Sequence, residues 1–379
     1  MLSVNKIKVC HVTTRFDVGG MENGIVNLCN GLDRTLFEPV ICCINGAGEM
    51  TQRLKTDICF DNLNFKEGKS FSLFLKMRTY FKRRQPTIVH THGWGGGSLY
   101  AIVGAFLART PVIINGEHGL FYDKKHQVIL QRIISRICTT NLAVSESLKY
   151  QVVDTLGISA ERIQVIENGV DTDLFSGDHD TDALRIELRE KFGITIQEDT
   201  FIAGCIGSLK PVKNQQMLLD ALVKLKQSRP LNKLKVLFVG VGNDLHALKS
   251  FVIENNLADD VAFLGNRHDI PQLLSLMDIL VSTSISEGLS NVFLEAMSSG
   301  IPVISSNHFG ASQIIKHAQN GFLIKPGDID ALSCRIEQLM LDKQLCKKMG
   351  TCARNIILQE YSMEKMISSY EQLYLKNLH

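Results

Sequence analysis

Short runs of β-branched and aliphatic residues alternate with stretches long enough to be helices, and the whole alternation occurs twice. The first series covers 7–13, 39–43, 87–90, 112–114, 141–144 and 163–166. It restarts at 201–206 and continues through 236–239, 261–264, 279–282 and 303–305. Such alternation belongs to a parallel sheet covered on both faces, because each crossover helix must bury its apolar stripe against the strands it connects. Between the two series, residues 171–199 are charged, polar and poor in long apolar runs, as a linker is. The expected architecture is therefore α/β, with two doubly wound, Rossmann-like domains facing across a cleft. The N-terminal domain is expected over 1–175, a linker region over 176–198 and the C-terminal domain over 199–362. Met363, Met366, Ile367, Tyr370, Leu373 and Tyr374 fall at helical spacing, and the helix 363–379 is expected to pack back on the first domain. Ligands of doubly wound sheets sit at the carboxyl ends of the strands.

Composition removes several function classes. Hydrophobic residues make up 45% and charged residues 21% of the 379, with a formal net charge of +2. A disordered chain would lack that apolar content, and a dedicated nucleic-acid binder would carry a basic excess. The longest apolar candidate, 99–108, is too short to span a bilayer, and the first residues show no signal-peptide h-region. The ten cysteines contain no C-x-x-C pair and sit mostly in apolar runs, so they are expected to be reduced core residues. A soluble cytoplasmic protein is expected.

The segment Ser284-Ile285-Ser286-Glu287-Gly288-Leu289-Ser290-Asn291-Val292-Phe293-Leu294-Glu295-Ala296-Met297 concentrates the chemistry of the second half. It follows a strand, and Ser290 is suited to cap a helix that Gly300 and Pro302 terminate. The N–H groups of Ser290 to Val292 then point toward the crevice with the positive end of the helix dipole, which suits a phosphate. Glu287 precedes this terminus and Glu295 lies inside the helix. Carboxylates repel phosphate but bind hydroxyls, so their targets are sugar hydroxyls. Taken alone, two glutamates read as a dipole-complementing residue and a solvated helix residue.

The surrounding pattern shifts that balance. The stretch resembles the E-x₇-E signature of the retaining glycosyltransferases of family 4, which have the GT-B fold. Four further segments resemble the same family in the same order: Gly19-Gly20-Met21-Glu22, Ile166-Glu167-Asn168-Gly169-Val170-Asp171-Thr172, Ile206-Gly207-Ser208-Leu209-Lys210-Pro211-Val212-Lys213-Asn214, and Val261-Ala262-Phe263-Leu264-Gly265. The resemblance implies that Lys213 neutralises a nucleotide diphosphate and that Glu295 holds the ribose hydroxyls. It implies that Glu287 contacts the donor sugar or steadies the cationic anomeric carbon. Backbone from Phe263 to Asn266 would receive the base. Gly20, Ser208, Gly288, Leu289, Ser290 and Asn291 would complete the donor site. Two positions depart from the family: Ser208 stands where arginine is usual, and Gln313 stands where glutamate is usual in Phe309-Gly310-Ala311-Ser312-Gln313.

In the first half, Gly19-Gly20 lets backbone approach a ligand. The resemblance puts Glu22 on the acceptor side, although a first-turn acid favoured by the helix dipole accounts for it equally. His118 matches the family's active-site histidine, hydrogen-bonding a donor hydroxyl or positioning the acceptor; a core histidine is its bland alternative. His90 and His92 alternate along one strand, as paired metal ligands do, but no third ligand is evident by spacing. No metal or other cofactor is expected, and His92 is assigned to the acceptor side. Asp171-Thr172-Asp173 has the form of a metal motif but reads as a turn. The helix around 71–84 is amphipathic and basic; core packing is its plainer reading, while the positive excess of the first half favours a membrane-borne acceptor. A peripheral site at the inner face of the plasma membrane is compatible with that excess.

The expected activity is metal-independent hexosyl transfer with retention, from a nucleotide sugar (a UDP-sugar favoured) to a hydroxyl of a glycan or polyprenyl-linked glycan, in cell-surface polysaccharide or glycoconjugate biosynthesis. A non-catalytic nucleotide-sugar-binding or partner subunit and a nucleotide-sugar epimerase of the same fold are the alternatives.

Overall fold

The computed structural model describes residues 6–17, 19–65, 72–93, 96–117, 125–228 and 233–378. The chain forms two compact units, Met1–Gly169 together with Met363–His379, and Val170–Ser362. In the first unit, strands β1 (Ile7–Thr13), β2 (Phe37–Cys43), β3 (Cys59–Asn62), β4 (Ile88–His92), β5 (Val112–Glu117), β6 (Thr140–Ala143) and β7 (Ile163–Val165) make one parallel sheet of order β3-β2-β1-β4-β5-β6-β7. In the second, β8 (Phe201–Ile206), β9 (Leu234–Val239), β10 (Val261–Phe263), β11 (Ile279–Ser282), β12 (Val303–Ser306) and β13 (Gly321–Ile324) make a parallel sheet of order β10-β9-β8-β11-β12-β13. Both are doubly wound, Rossmann-like α/β units.

The strand orders locate a crevice in each unit. The order reverses between β1 and β4 in the first sheet and between β8 and β11 in the second. Connections leaving the two strands at such a point depart to opposite faces, so the carboxyl ends are left uncovered between them.

The helix Met363–Lys376 buries Met366, Tyr370, Leu373 and Tyr374 against Val9, Ile88, Val112 and Ile114 of the first sheet. Residues at the far end of the chain thereby complete the core of the unit at its beginning. Where a linker was expected over 176–198, the structure has the helix Asp182–Phe192, ended by Gly193 in the left-handed region at φ 69°. Leu184, Leu188 and Ile194 join the core of the second unit. The segment looked like a linker because its outward positions are charged, and only two positions of that helix are fully buried.

Two strands lack a sequence counterpart. Strand β3 is an edge strand, half-buried throughout, whose Asp61 accepts the Tyr80 hydroxyl at 2.7 Å and pairs with Arg84. Strand β13 has only four residues. The helix Ser72–Arg84 turns Leu73, Met77, Tyr80 and Phe81 into the core, so its apolar stripe is consumed within the unit. All ten cysteines are free; seven are buried, Cys59 and Cys352 half-buried and Cys334 exposed. Among the described residues no helix is long and apolar enough to cross a membrane.

Candidate active site

In the second unit, the loops that leave β8 and β11 meet at the carboxyl ends of these neighbouring strands. After Ile206 the chain passes Gly207 and Ser208, makes a 3-10 turn over Pro211–Lys213, and turns at Asn214 in the left-handed region, φ 48°. The helix Gln216–Ser228 begins only beyond that turn, so Lys213 closes a separate 3-10 turn and does not open the helix. The two loops are stitched together. Ile285 N–H donates to the Val212 carbonyl at 2.9 Å, and the Thr283 hydroxyl donates to the Lys213 carbonyl at 3.1 Å.

This stitching brings Lys213 Nζ to 2.6 Å from Glu287 Oε2, in a half-buried ion pair. The Ser284 hydroxyl donates to the other oxygen of Glu287. A pocket here is lined by Lys213, Gln215, Thr283, Ser284, Glu287 and Ser290, among others. Its floor carries Gln215, whose amide N–H donates to the Ser208 carbonyl at 3.0 Å and whose Oε1 is buried without a partner. The third side of the loop is set by glycine. A Cβ on Gly310 would fall on the carbonyl of Gly288, so the Glu287 loop lies directly against the Phe309–Ile314 helix. Likewise a Cβ on Gly240, at φ 132°, would strike the Gly207 carbonyl.

The helix Asn291–Ser298 starts at the edge of this pocket. Ser290 occupies the N-cap position, with extended backbone, but its hydroxyl makes no cap hydrogen bond, contrary to the expected cap. The Phe293 and Leu294 N–H groups turn back to the Ser290 carbonyl, at 3.0 and 3.4 Å, and the Ser290 hydroxyl adds no side-chain cap. Glu295 lies one turn in, partly buried, and burial pushes its carboxyl up to about 7. No side-chain hydrogen bond to it is formed among the described residues. Leu289 is buried in the core, so only its backbone can face a ligand, while Gly288 is exposed. Phe263 ends β10 with its ring stacked on Phe238, centroids 5.0 Å apart. Ser208 is half-buried and Lys210 exposed.

In the first unit, Gly20 opens the helix Gly20–Gly31 and Glu22 sits in its first turn. The Glu22 carboxyl folds back over Gly19, and burial raises its pKa. His92 ends β4, buried, beside His90 and His11. His118 lies outside the described residues. Asp171 accepts the N–H groups of Asp173 (3.2 Å) and Leu174 (2.9 Å), which makes that acidic pair a turn.

Several site residues carried no local signal. Gln215, Ser284 and His308 are ordinary polar residues until the fold assembles them around Lys213 and Glu287. His308 caps the Phe309–Ile314 helix through Nδ1, which accepts the Ala311 N–H at 3.3 Å, and its Nε2 is buried without a partner. His11 comes beside His92 only because β1 pairs with β4.

The chain is similar to known proteins over most of its length. The family profile "Glycosyltransferase Family 4" matches residues 18–174, and "Glycosyl transferases group 1" matches 187–356. "Putative glycosyltransferase EpsD" of Bacillus subtilis (strain 168) is 35% identical over 318 residues, 81% of each chain. UDP-Gal:alpha-D-GlcNAc-diphosphoundecaprenol alpha-1,3-galactosyltransferase of Escherichia coli is 27% identical over 387 residues, covering 98% of this chain and 97% of that one. Among solved structures, Anabaena Alr3699/HepE in complex with UDP has a TM-score of 0.83 at 21% identity, covering 97% of this chain and 100% of that one. A glycosyltransferase from Rickettsia africae ESF-5 reaches 0.85 at 22% identity, covering 99% of both. With both halves matched in order and an EpsD relative alike over four-fifths of its length, the chain belongs to the GT-B-fold glycosyltransferases related to group 1 and family 4.

Proposed function

We propose that the chain is a retaining, metal-independent hexosyltransferase that moves a sugar from a UDP-sugar to a hydroxyl of a lipid-linked glycan in cell-surface polysaccharide biosynthesis. The observation that carries this reading is the convergence of Lys213, Glu287 and the uncapped start of the Asn291–Ser298 helix at the strand-order reversal of the second sheet. A cation and helix N–H groups suit a diphosphate; a carboxylate beside them suits the hydroxyls of the attached sugar. Glu295, whose carboxyl makes no hydrogen bond among the described residues, is assigned to the ribose hydroxyls.

Charge accumulates on the diphosphate as the glycosidic bond breaks, and Lys213 is positioned to offset it. The departing diphosphate can accept the acceptor hydroxyl's proton, so no strong enzymic base is required. Glu22 and His118 are assigned to the acceptor side or the donor sugar, as the family resemblance implies, and His92 is assigned to the acceptor side. UDP is favoured because UDP-Gal is the donor in the E. coli relative's name and UDP is the ligand of the HepE complex. A diphosphoundecaprenol acceptor, as in that same name, implies work at a lipid surface. The helix Lys125–Ile137 supports such a surface better than Ser72–Arg84: it exposes Ile129 and Ile133 beside Lys125, Arg132 and Arg136.

Thermal shift with UDP-, GDP- and ADP-sugars tests the donor, since a ligand that binds only the folded state raises apparent stability. Incubation of UDP-galactose with N-acetylglucosamine-diphosphopolyprenol, followed by NMR of the new anomeric centre, tests transfer and stereochemistry. An α-linked product is expected. A β-linked product, or a new UDP-sugar formed without acceptor, would sink the proposal.

A further inference from the structure

Strands β8, β11 and β12 are neighbours, so Glu287, in the loop after β11, is flanked by the loops after the other two. On the β8 side Lys213 Nζ grips its carboxylate at 2.6 Å. On the β12 side the chain passes through Asn307 and His308 into the Phe309–Ile314 helix. Backbone hydrogen bonds fix that passage: the Asn307 N–H donates to the Ile324 carbonyl at 2.6 Å, and the His308 N–H to the Ser306 carbonyl at 2.9 Å. Gly310 then lies against the Glu287 loop, where an added Cβ would fall 2.7 Å from the Glu287 carbonyl oxygen and closer still to that of Gly288.

His308 is 7% exposed, and its tautomer follows from its partner. Nδ1 accepts the Ala311 N–H at 3.3 Å. A ring nitrogen that accepts a hydrogen bond carries no proton, which excludes both the imidazolium and the Nδ1–H tautomer. The single proton therefore sits on Nε2, a buried N–H that makes no hydrogen bond among the described residues. An orphaned buried N–H is rarer and costlier than an unused lone pair, so this group calls for an acceptor. Glu287 supplies one. Burial lowers the His308 pKa, while the Glu287 carboxylate and the Glu287 backbone carbonyl both raise it, and Lys213 lowers it again. On the other side the ring faces Phe293, with centroids 6.3 Å apart.

We infer that His308 is a positioning residue for Glu287, its Nε2–H directed at the Glu287 backbone carbonyl so as to fix where the carboxylate is presented to the donor sugar. The inference rests on the proposed contact of Glu287 with that sugar. In the free protein the contact lies outside hydrogen-bond geometry, as active-site contacts do before substrate tightens them. The two ring nitrogens thus have separate tasks: Nδ1 caps a helix and Nε2 holds the loop beside it. Glu287 is then held on two sides, by a cation at its carboxylate and an N–H at its backbone.

The two tasks can be separated by substitution, because asparagine reproduces Nδ1 of histidine but not Nε2, and glutamine the reverse. His308→Asn keeps a good helix cap, so its denaturation midpoint and its calorimetric affinity for UDP should match wild type. Its turnover of UDP-galactose with N-acetylglucosamine-diphosphopolyprenol should nevertheless fall on the order of tenfold. His308→Gln should show the opposite pattern, a lowered midpoint with turnover near that of wild type. Long-range ¹H–¹⁵N NMR of the full histidine-labelled chain should find the His308 proton on Nε2 at about pH 7.5. Saturating UDP-galactose should shift that Nε2–H more than UDP does. A proton on Nδ1 overturns the inference, as do full turnover by His308→Asn, equal shifts with UDP and UDP-galactose, or turnover that falls in both variants only as far as stability does. Full turnover by Glu287→Ala removes the donor-sugar role of Glu287 and the positioning role with it. A wild-type protein that shows the UDP-galactose shift yet transfers nothing overturns the transferase reading and leaves the His308 contact standing.

Discussion

Glu295 offers a quantitative handle on the donor site. Burial holds its carboxyl at about 7 against an ordinary 4.5. A carboxylate accepts two ribose hydroxyls; the protonated acid must spend one oxygen as a donor. If donor binding selects the carboxylate, the apparent dissociation constant scales as the inverse of the ionised fraction. That fraction is about 0.1 at pH 6 and about 0.9 at pH 8, so affinity should rise roughly tenfold across the interval. UDP-glucose is the suitable probe because its diphosphate is a diester and does not titrate there. In Glu295→Gln the slope should vanish and affinity should match the weak, low-pH limb. The same shift sets a stability trend with a definite sign. The folded state holds the proton more tightly than the unfolded chain, so Glu295 favours folding below about pH 4.5, and that contribution is lost as pH rises through about 7. At about 1.36 kcal/mol per pKa unit the ceiling is about 3 kcal/mol, reduced to about 1–2 by the residue's partial exposure. Calorimetric titration at pH 6, 7 and 8, with chemical denaturation of both proteins, reads both effects. Equal, pH-independent UDP-glucose affinity in wild type and Glu295→Gln would refute the assignment of this carboxylate to the ribose.

Other perturbations separate site from scaffold. Lys213→Ala leaves Glu287 without its ion-pair partner and removes the diphosphate's cation; UDP-sugar affinity should fall roughly 10–100-fold, equivalent to about 1.5–3 kcal/mol, by calorimetry. Gly310→Ala drives a methyl onto the Gly288 carbonyl; it should cost about 1–3 kcal/mol in denaturation and weaken donor binding without melting the sheet. Ending the chain at Ser362 exposes the surfaces that Met366, Tyr370, Leu373 and Tyr374 cover, at about 1.5–3 kcal/mol each. That sum rivals the roughly 5–15 kcal/mol stability of a domain, so hydrogen exchange should find the first unit unfolded. Arg267 grips Glu187 at 2.9 and 3.0 Å and lowers its carboxyl to about 2; this stabilisation is present above pH 4.5 and fades as pH falls toward 2. Arg267→Ala should therefore lose about 1 kcal/mol at neutral pH and converge with wild type in acid, as measured by denaturant midpoint.

The strands of both sheets were legible where their sequence is continuously apolar. Strands β1, β8 and β11 begin and end where the runs of β-branched residues do. A strand buried on both faces has no polar position to interrupt the pattern. Strand β3 escaped because Asp61 and Asn62 occupy half of it, and an edge strand tolerates such residues. The helix Asp182–Phe192 escaped because a helix resting on a core by a narrow stripe is mostly charged surface. The amphipathic basic helix was legible, but which side met the protein was not; the structure spends its apolar side on the core.

The linear order of residues determined the fold class, the glycine turns, the family pattern and the candidates Lys213, Glu287 and Glu295, because each is a local statement about spacing and backbone freedom. Tertiary structure alone decided which of them meet. Lys213 and Glu287 are 74 positions apart and touch because β8 and β11 are neighbours at a reversal of strand order. His11 and His92 lie within hydrogen-bond distance, 2.9 Å, because β1 lies beside β4. Burial, which moves the protons of Glu295 and His11, exists only once the chain has closed around them: a desolvation cost is a property of the surroundings, and the surroundings come from residues remote in sequence.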